Sequence, residues 1–186
     1  LLLEGISENW VPSLYERIMK RIMKILSPTL NSLSKALGTP VYVVGGYVRD
    51  YMMGLTPYDI DVVADLDMKK AEKLLIAKDF KVSWINKDPG TISTRLEGWD
   101  LKVELTQTRS NQDRKTQGGS IEDDLMTRDF TMNAIAWNPG VGYIDPSKGI
   151  ADINNRILRF VGNPRDRLDE DPRRWFRAYR FKYGLN

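Results

Sequence analysis

The chain has no cysteine and no histidine among its 186 residues. Without thiols there is no disulfide, no thiolate zinc site and no cysteine nucleophile. Without imidazole there is no His-based acid–base pair and no Ser-His-Asp triad. Proton transfer and metal binding are left to carboxylates, amines, hydroxyls and the backbone. Long apolar runs are missing too, since none approaches the roughly 20 residues a membrane-spanning helix needs. Leu1-Leu2-Leu3 lacks the basic start and the length of a signal peptide. These absences predict a cytoplasmic protein with no membrane partner. The chain starts without Met and closes in Lys182-Tyr183-Gly184-Leu185-Asn186, and we read it as a piece of a longer protein. Nothing in it specifies an oligomeric state.

Charge is nearly balanced, at 28 Lys+Arg against 25 Asp+Glu, but it is unevenly placed. Arg156, Arg159, Arg165, Arg167, Arg173, Arg174, Arg177, Arg180 and Lys182 crowd the last thirty or so residues. That skew suits a polyanionic partner; a solvated helix face is the plainer alternative.

Periodicity predicts helices and strands in alternation. Leu14, Ile18, Ile22, Ile25, Leu26, Leu30 and Leu33 recur at helical spacing over 11–37, interrupted by Pro28. Strands are expected at 41–44, 60–63, 81–85, 91–96 and 101–108, and helices at 47–53 and 67–78. Polar 110–120 reads as a flexible loop, 124–136 as a helix, 143–146 as a strand end with its turn, 149–155 as a short connection and 157–161 as a short strand. An arginine-rich amphipathic helix should cover 169–183, with Pro172 in its first turn. The fold class is therefore α/β (α+β), with a mixed sheet of about five strands and flanking helices. Three units are expected: an N-terminal helical segment over 1–37, a strand-bearing domain over 38–162, and the start of a helical domain over 163–186.

The most informative stretch is Val44-Gly45-Gly46-Tyr47-Val48-Arg49-Asp50, followed by Asp59-Ile60-Asp61. Glycines at a strand-to-helix turn let backbone N–H groups approach an anion. Side chains two apart on a strand share a face, so Asp59 and Asp61 sit side by side. Adjacent carboxylates repel unless a cation lies between them, and Mg²⁺ is the hard, oxygen-seeking ion that also bridges substrate phosphates. A phosphate cradle followed by a metal-binding acid pair points to nucleotidyl transfer. Glu104, on a later strand, is the candidate third carboxylate, either a metal ligand or the acceptor of a proton from an attacking hydroxyl.

Over roughly residues 40–184 the chain resembles the class II tRNA nucleotidyltransferase/poly(A) polymerase family, in its head and neck. Four motifs occur in family order. They are Gly45-Gly46-Tyr47-Val48-Arg49-Asp50 with Asp59-Ile60-Asp61; Arg128-Asp129-Phe130-Thr131-Met132-Asn133-Ala134; Tyr143-Ile144-Asp145-Pro146 through Gly149 and Asp152 to Leu158-Arg159-Phe160-Val161-Gly162; and Glu170-Asp171-Pro172 with Arg174, Arg177 and Arg180. The resemblance implies a nucleotidyltransferase fold followed by a helical neck. It implies that Asp59 and Asp61 hold Mg²⁺, that Gly45, Gly46 and Arg49 meet the triphosphate, and that Arg128, Asp129 and Asn133 meet ribose and phosphates. It also implies that Asp171 and Arg174, on one helix face, read the base of CTP or ATP, with Arg177 and Arg180 continuing that face. The expected activity is template-independent addition of C and/or A to the 3′ end of tRNA, with release of pyrophosphate.

Three departures stand out. Thr127 replaces the first of two arginines, Arg173 replaces an aliphatic residue, and Trp175-Phe176 replace smaller ones. The segment from Glu104 to Asp124 is also shorter than in typical CCA-adding members, which favours a CC-adding or otherwise specialised one. Poly(A) polymerase, a catalytically silent RNA-binding module of the same fold, and a dinucleotide-binding oxidoreductase are the competing readings. The last lacks G-x-G-x-x-G and leaves the acid pair unexplained.

Overall fold

The computed structural model describes residues 26–57, 59–87, 90–95, 102–110 and 117–184. The expected helical residues 1–25, the middle of the polar loop at 111–116, and the ends of two expected strands at 96 and 101 lie outside them. Helix α1 covers 26–37. Then follow β1 (Tyr42–Val44), α2 (Gly46–Met52), β2 (Ile60–Ala64), α3 (Met68–Ile76), β3 (Val82–Asn86), β4 (Thr91–Arg95) and β5 (Lys102–Gln107). After these come α4 (Ile121–Met126), a 3-10 turn (Thr131–Asn133), β6 (Ala136–Asn138), β7 (Gly142–Ile144), α5 (Gly149–Asn154), α6 (Pro164–Glu170) and α7 (Arg173–Gly184).

The strands form one seven-stranded sheet in the order β3-β4-β5-β2-β1-β6-β7. Only β2 and β5 run parallel; every other neighbouring pair is antiparallel. The class is the expected α/β mixed sheet, with two strands more than anticipated. Both lie after the second motif: β7 overlaps the strand end expected at 143–146, and β6 follows the segment expected as a helix. Residues 124–136 are not one helix. The N-terminus of α4 is set by a capping box, in which Ser120 accepts from the Asp123 amide and Asp123 from the Ser120 amide. The helix ends at Met126. Beyond it Phe130 is extended, and the Asp129 carboxylate accepts from the Phe130 amide and from Asn133 Nδ2. A short side chain that satisfies local amides draws the backbone out of a helix. The expected strand at 157–161 is only a single bridge between Phe130 and Phe160, and the expected connection at 149–155 is helical.

The main core lies on one face of the sheet. Leu26, Leu30, Leu33 and Leu37, spaced for one stripe of α1, pack with Val41, Val43, Ile60, Val62, Ala71, Leu75, Ile92, Val103 and Leu105. Each leucine, isoleucine or valine among these, fully buried, contributes about 1.5–3 kcal/mol. On the opposite face a smaller cluster joins Val44, Val63, Ile121, Leu125, Ala134, Ala136 and Val161. It covers only part of that face. Alternation along β2 puts Val63 in this cluster and Asp61 on the same side, where the sheet is open.

The arginine-rich segment is two helices. Asn163 caps α6 by accepting from the Arg165 amide, with Pro164 in the first turn. Proline disfavours helical backbone in the residue before it, and Asp171, extended at φ −152°, breaks the chain ahead of Pro172. Helix α7 returns to the main core through Phe181, whose ring meets Phe130 edge-on at 5.5 Å. Phe130 also lies 4.7 Å from Phe160.

Candidate active site

The two acids and the glycine turn meet at one end of the central strands. The β1–β2 register pairs Val43 with Val62 and, carried one residue further, sets Val44 opposite Asp61. Gly45 follows directly, with φ +69° and ψ −127°, a backbone region essentially reserved for glycine. It turns β1 into α2. On the other side of β2 the parallel register pairs Asp61 with Glu104. Asp61 is thus flanked in space by the glycine turn on one strand and by Glu104 on the next.

The electrostatics match this crowding. The Asp61 carboxyl is pushed above the usual aspartate range, first by loss of water around it, then by the neighbouring Glu104 charge and by Asp59, against an opposing pull from Arg128. The Asp59 charge is near enough to Asp61 to add to that shift. Glu104 accepts from Lys102 Nζ at 2.6 Å, so part of the acidic charge is already balanced.

Arginines close the site from above. Arg49 donates from Nη1 to Asn133 Oδ1 at 2.7 Å, pairs with Asp50, and lies 5.0 Å from the centre of the Phe181 ring. A Cβ on Gly46 would touch its guanidinium at 3.6 Å. Arg128 reaches over Gly45 so closely that a Cβ there would lie 2.9 Å from Nη1. Asp129 is buried; its Oδ1 accepts from the Phe130 amide and from Asn133. Its Oδ2 lies 2.9 Å from Arg177 Nη2 but makes no well-aligned hydrogen bond with the protein. That oxygen is buried beneath Arg177, with a charge partner and spare accepting capacity. The structure thus brings together Gly45, Gly46, Arg49, Asp59, Asp61, Glu104, Arg128, Asp129, Asn133 and Arg177.

Asp171 and Arg174 open α7 together, the Arg174 amide donating to the Asp171 carbonyl at 3.0 Å, but their side chains have separate hydrogen-bond partners. Asp171 is the C-cap of α6 and is bound by Arg173, whose hydrogen bond holds its carboxyl below the usual range. Arg174 is buried, donating to the Arg167 carbonyl at 2.6 Å and to Glu170 at 2.7 Å. Arg180 lies over the Phe181 ring at 5.5 Å rather than continuing toward Asp129.

Other motif residues are architectural. Asp145 accepts from the Gly149 and Ile150 amides at the start of α5, and buried Asp152 binds Thr131 Oγ1 and Arg159. Thr127, standing where an arginine was expected, is buried and donates to the Asp124 carbonyl. Sequence reasoning missed Asp124 and Lys102. The four-residue spacing of Asp124 and Arg128 is the signal that could have identified the first.

The donor set fits a hard divalent ion. It is all oxygen and sits at an open rim, and the Glu104 and Asp59 charges add to the loss of water that raises the Asp61 carboxyl. Among the described residues no group of three or more ligating side chains converges tightly enough to cage an ion alone. Magnesium needs no such cage, since it keeps waters and takes one or two carboxylates with substrate phosphates.

The chain is similar to known proteins. The family model for the poly(A) polymerase head domain matches residues 41–159. The chain is 38% identical over 148 residues to a CC-adding tRNA nucleotidyltransferase of Halalkalibacterium halodurans, covering 80% of this chain and 36% of that protein. It is 36% identical over 157 residues to a CCA-adding enzyme of Staphylococcus aureus, covering 80% and 38%. Among solved structures, the Bacillus stearothermophilus CCA-adding enzyme in complex with CTP superposes with a TM-score of 0.73 at 32% identity, over 86% of this chain and 38% of that one. A tRNA nucleotidyltransferase complexed with a primer tRNA and an incoming ATP analog gives 0.65 at 29% identity, over 82% and 44%. The chain spans little more than a third of the length of these curated relatives. With the motifs in order, the glycine turn beside the acids and the family model across most of its length, this chain belongs to the poly(A) polymerase head domain family.

Proposed function

We propose that this chain is the nucleotide-binding and catalytic portion of a Mg²⁺-dependent, template-independent tRNA nucleotidyltransferase, which adds C and/or A from CTP or ATP to a tRNA 3′ end and releases pyrophosphate. The observation that carries the reading is the placement of Asp61 between Glu104 and the Gly45 turn, with Arg128 over that turn. The identity to CC- and CCA-adding enzymes favours tRNA as the acceptor over a poly(A) tail. Residues 38–162 form the head and 163–186 begin the neck. A tRNA substrate places the protein in the cytoplasm.

Asp59 and Asp61 would hold the ion, which when bound would supply charge neutralisation at the transferring phosphoryl group and lower the pKa of a coordinated hydroxyl. Gly45 and Gly46 let the triphosphate approach the backbone, with Arg49 and Arg128 as its cationic wall. Glu104, half shielded by Lys102, stands where it can accept the proton of the primer 3′-OH. Asp129 Oδ2, once Arg177 moves aside, accepts from a ribose hydroxyl, which selects a ribonucleotide. Asp171, Arg174 and Arg180 read or approach the base only after α6 and α7 shift about the Pro172 break, because their present partners are protein groups. Catalysis here is chiefly alignment and charge stabilisation.

The test is incubation of the protein with Mg²⁺, CTP or ATP, and tRNAs ending at the discriminator base, at C or at CC, followed by product sequencing. One or two cytidines added, with or without a terminal adenosine, supports the reading and fixes its type. Long adenosine tails would move the chain to the poly(A) branch, and no extension would leave a nucleic-acid-binding module.

A further inference from the structure

Asp124 is wholly buried on α4, and both its oxygens are committed to arginines. Oδ2 accepts from Arg128 Nε at 3.1 Å and Nη2 at 2.8 Å. Oδ1 accepts from the Arg109 amide at 3.1 Å and from Arg109 Nε at 3.3 Å. The fork on Arg128 uses two of its three nitrogens. The third, Nη1, is the one that overhangs Gly45. A guanidinium gripped on one edge by a fixed carboxylate has its other edge aimed, because the fork fixes the plane as well as the position.

The second oxygen ties this grip to another part of the chain. Arg109 follows β5, pairs with Gln117 across the base of the intervening loop, and lies against Gly119, where a Cβ would strike the Arg109 carbonyl at 2.7 Å. Thr108 donates to the Gly119 carbonyl and accepts from the Gly119 amide. The loop stem is thus pinned to the same carboxylate that aims Arg128.

We propose that Asp124 is a positioning residue for the triphosphate: it orients Arg128 so that Nη1 faces the Gly45 turn, and joins that orientation to the stem of the loop between β5 and α4. The inference rests on the nucleotidyltransferase reading. It assigns Asp124 no contact with substrate and no part in the chemistry itself. An arginine left to itself at this position keeps its charge but loses its aim. A lysine at the same position has one ammonium, which cannot serve Asp124 and a phosphate over Gly45 together.

The experiment measures affinities for CTP and for cytidine, in Mg²⁺, for the wild type and for Asp124→Asn, Arg128→Gln and the double variant. Circular dichroism and thermal melting report the fold. We expect Asp124→Asn to weaken CTP binding about ten-fold, leaving the CTP-to-cytidine comparison to show that only the phosphates are lost. In the Arg128→Gln background the same change should have no further effect on CTP, since Asp124 acts through Arg128. A general structural role would weaken both ligands and would add in the double variant, which overturns the proposal. If Asp124→Asn does not fold, Arg128→Lys decides: retained CTP affinity refutes the aimed fork, and a ten-fold loss with unchanged cytidine binding upholds it. A wild type that binds no CTP at all overturns the nucleotidyltransferase reading and this inference with it, whereas a wild type that binds while the variants bind equally overturns the Asp124 role alone.

Discussion

Asp61 carries negative charge where the fold does not favour it, so its removal should strengthen the protein as it destroys activity. The facing carboxylates of Asp61 and Glu104 come from adjacent strands. At a separation of about 5 Å, set by strand spacing, two unit charges repel by about 1–3 kcal/mol for an effective dielectric between about 80 and 20. The rim is open and Lys102 partly neutralises Glu104, so the lower end applies. Asp61→Asn, similar in shape and uncharged, should therefore stabilise the protein in EDTA at pH 7 by about 1 kcal/mol, or about 2–4 °C in Tm for a chain of this size. The sign with pH follows from the raised carboxyl. A group that binds its proton more tightly folded than unfolded stabilises the fold at low pH and loses that contribution as pH rises through the folded value. The variant's advantage should thus grow with pH above the ordinary aspartate range and vanish below it. Magnesium should raise the wild-type Tm and leave the variant nearly unmoved. Differential scanning fluorimetry across pH, with EDTA or Mg²⁺, reads all of this, and a primer-extension assay should show transfer lost. A variant less stable than wild type in EDTA at pH 7, or one that gains equally from Mg²⁺, refutes the placement of Asp61 as a strained ion ligand.

Gly45→Ala should destabilise the protein by about 1–3 kcal/mol, because alanine pays a steric penalty at φ +69° and its Cβ meets Arg128. Urea unfolding together with CTP titration checks this, and unchanged stability and affinity would contradict the turn geometry. Phe181→Ala removes the ring that joins α7 to Phe130 and Arg49 and should cost about 3–5 kcal/mol, seen as a lower urea midpoint. A loss below about 1 kcal/mol would mean that α7 is held elsewhere. Lys102→Met leaves Glu104 unbalanced and should tighten divalent-ion binding a few-fold, on the order of the weak coupling of a half-exposed pair. Isothermal titration with Mn²⁺ measures it, and weaker binding would show that Lys102 assists the ion rather than competing with it.

Local rules made the first half of the chain legible. The leucine stripe of α1, the strands at β1 through β5 and the helices α2 and α3 all appear where periodicity puts them, because each segment's pattern agrees with its final environment. The helix expected over 124–136 is absent because an apolar run cannot reveal that Asp129 satisfies local amides and that Ala136–Asn138 is a strand. At the arginine-rich end the helix opens at Pro172 as its sequence suggests, but it starts at Arg173 rather than 169, and a separate helix over Pro164–Glu170 precedes it because proline disfavours helical backbone at Asp171.

The candidate site divides the same way. Spacing alone put Asp59 and Asp61 on one face and a glycine turn at the end of β1, since strand alternation and glycine's tolerance of positive φ are properties of the residues themselves. Only the tertiary structure made Glu104 the neighbour of Asp61, gave Arg128 its aim through a buried carboxylate, and left Asp171 and Arg174 with separate partners. The register of a parallel pair and the fate of a buried charge depend on which segments meet across the sheet, and chain order does not encode that distance.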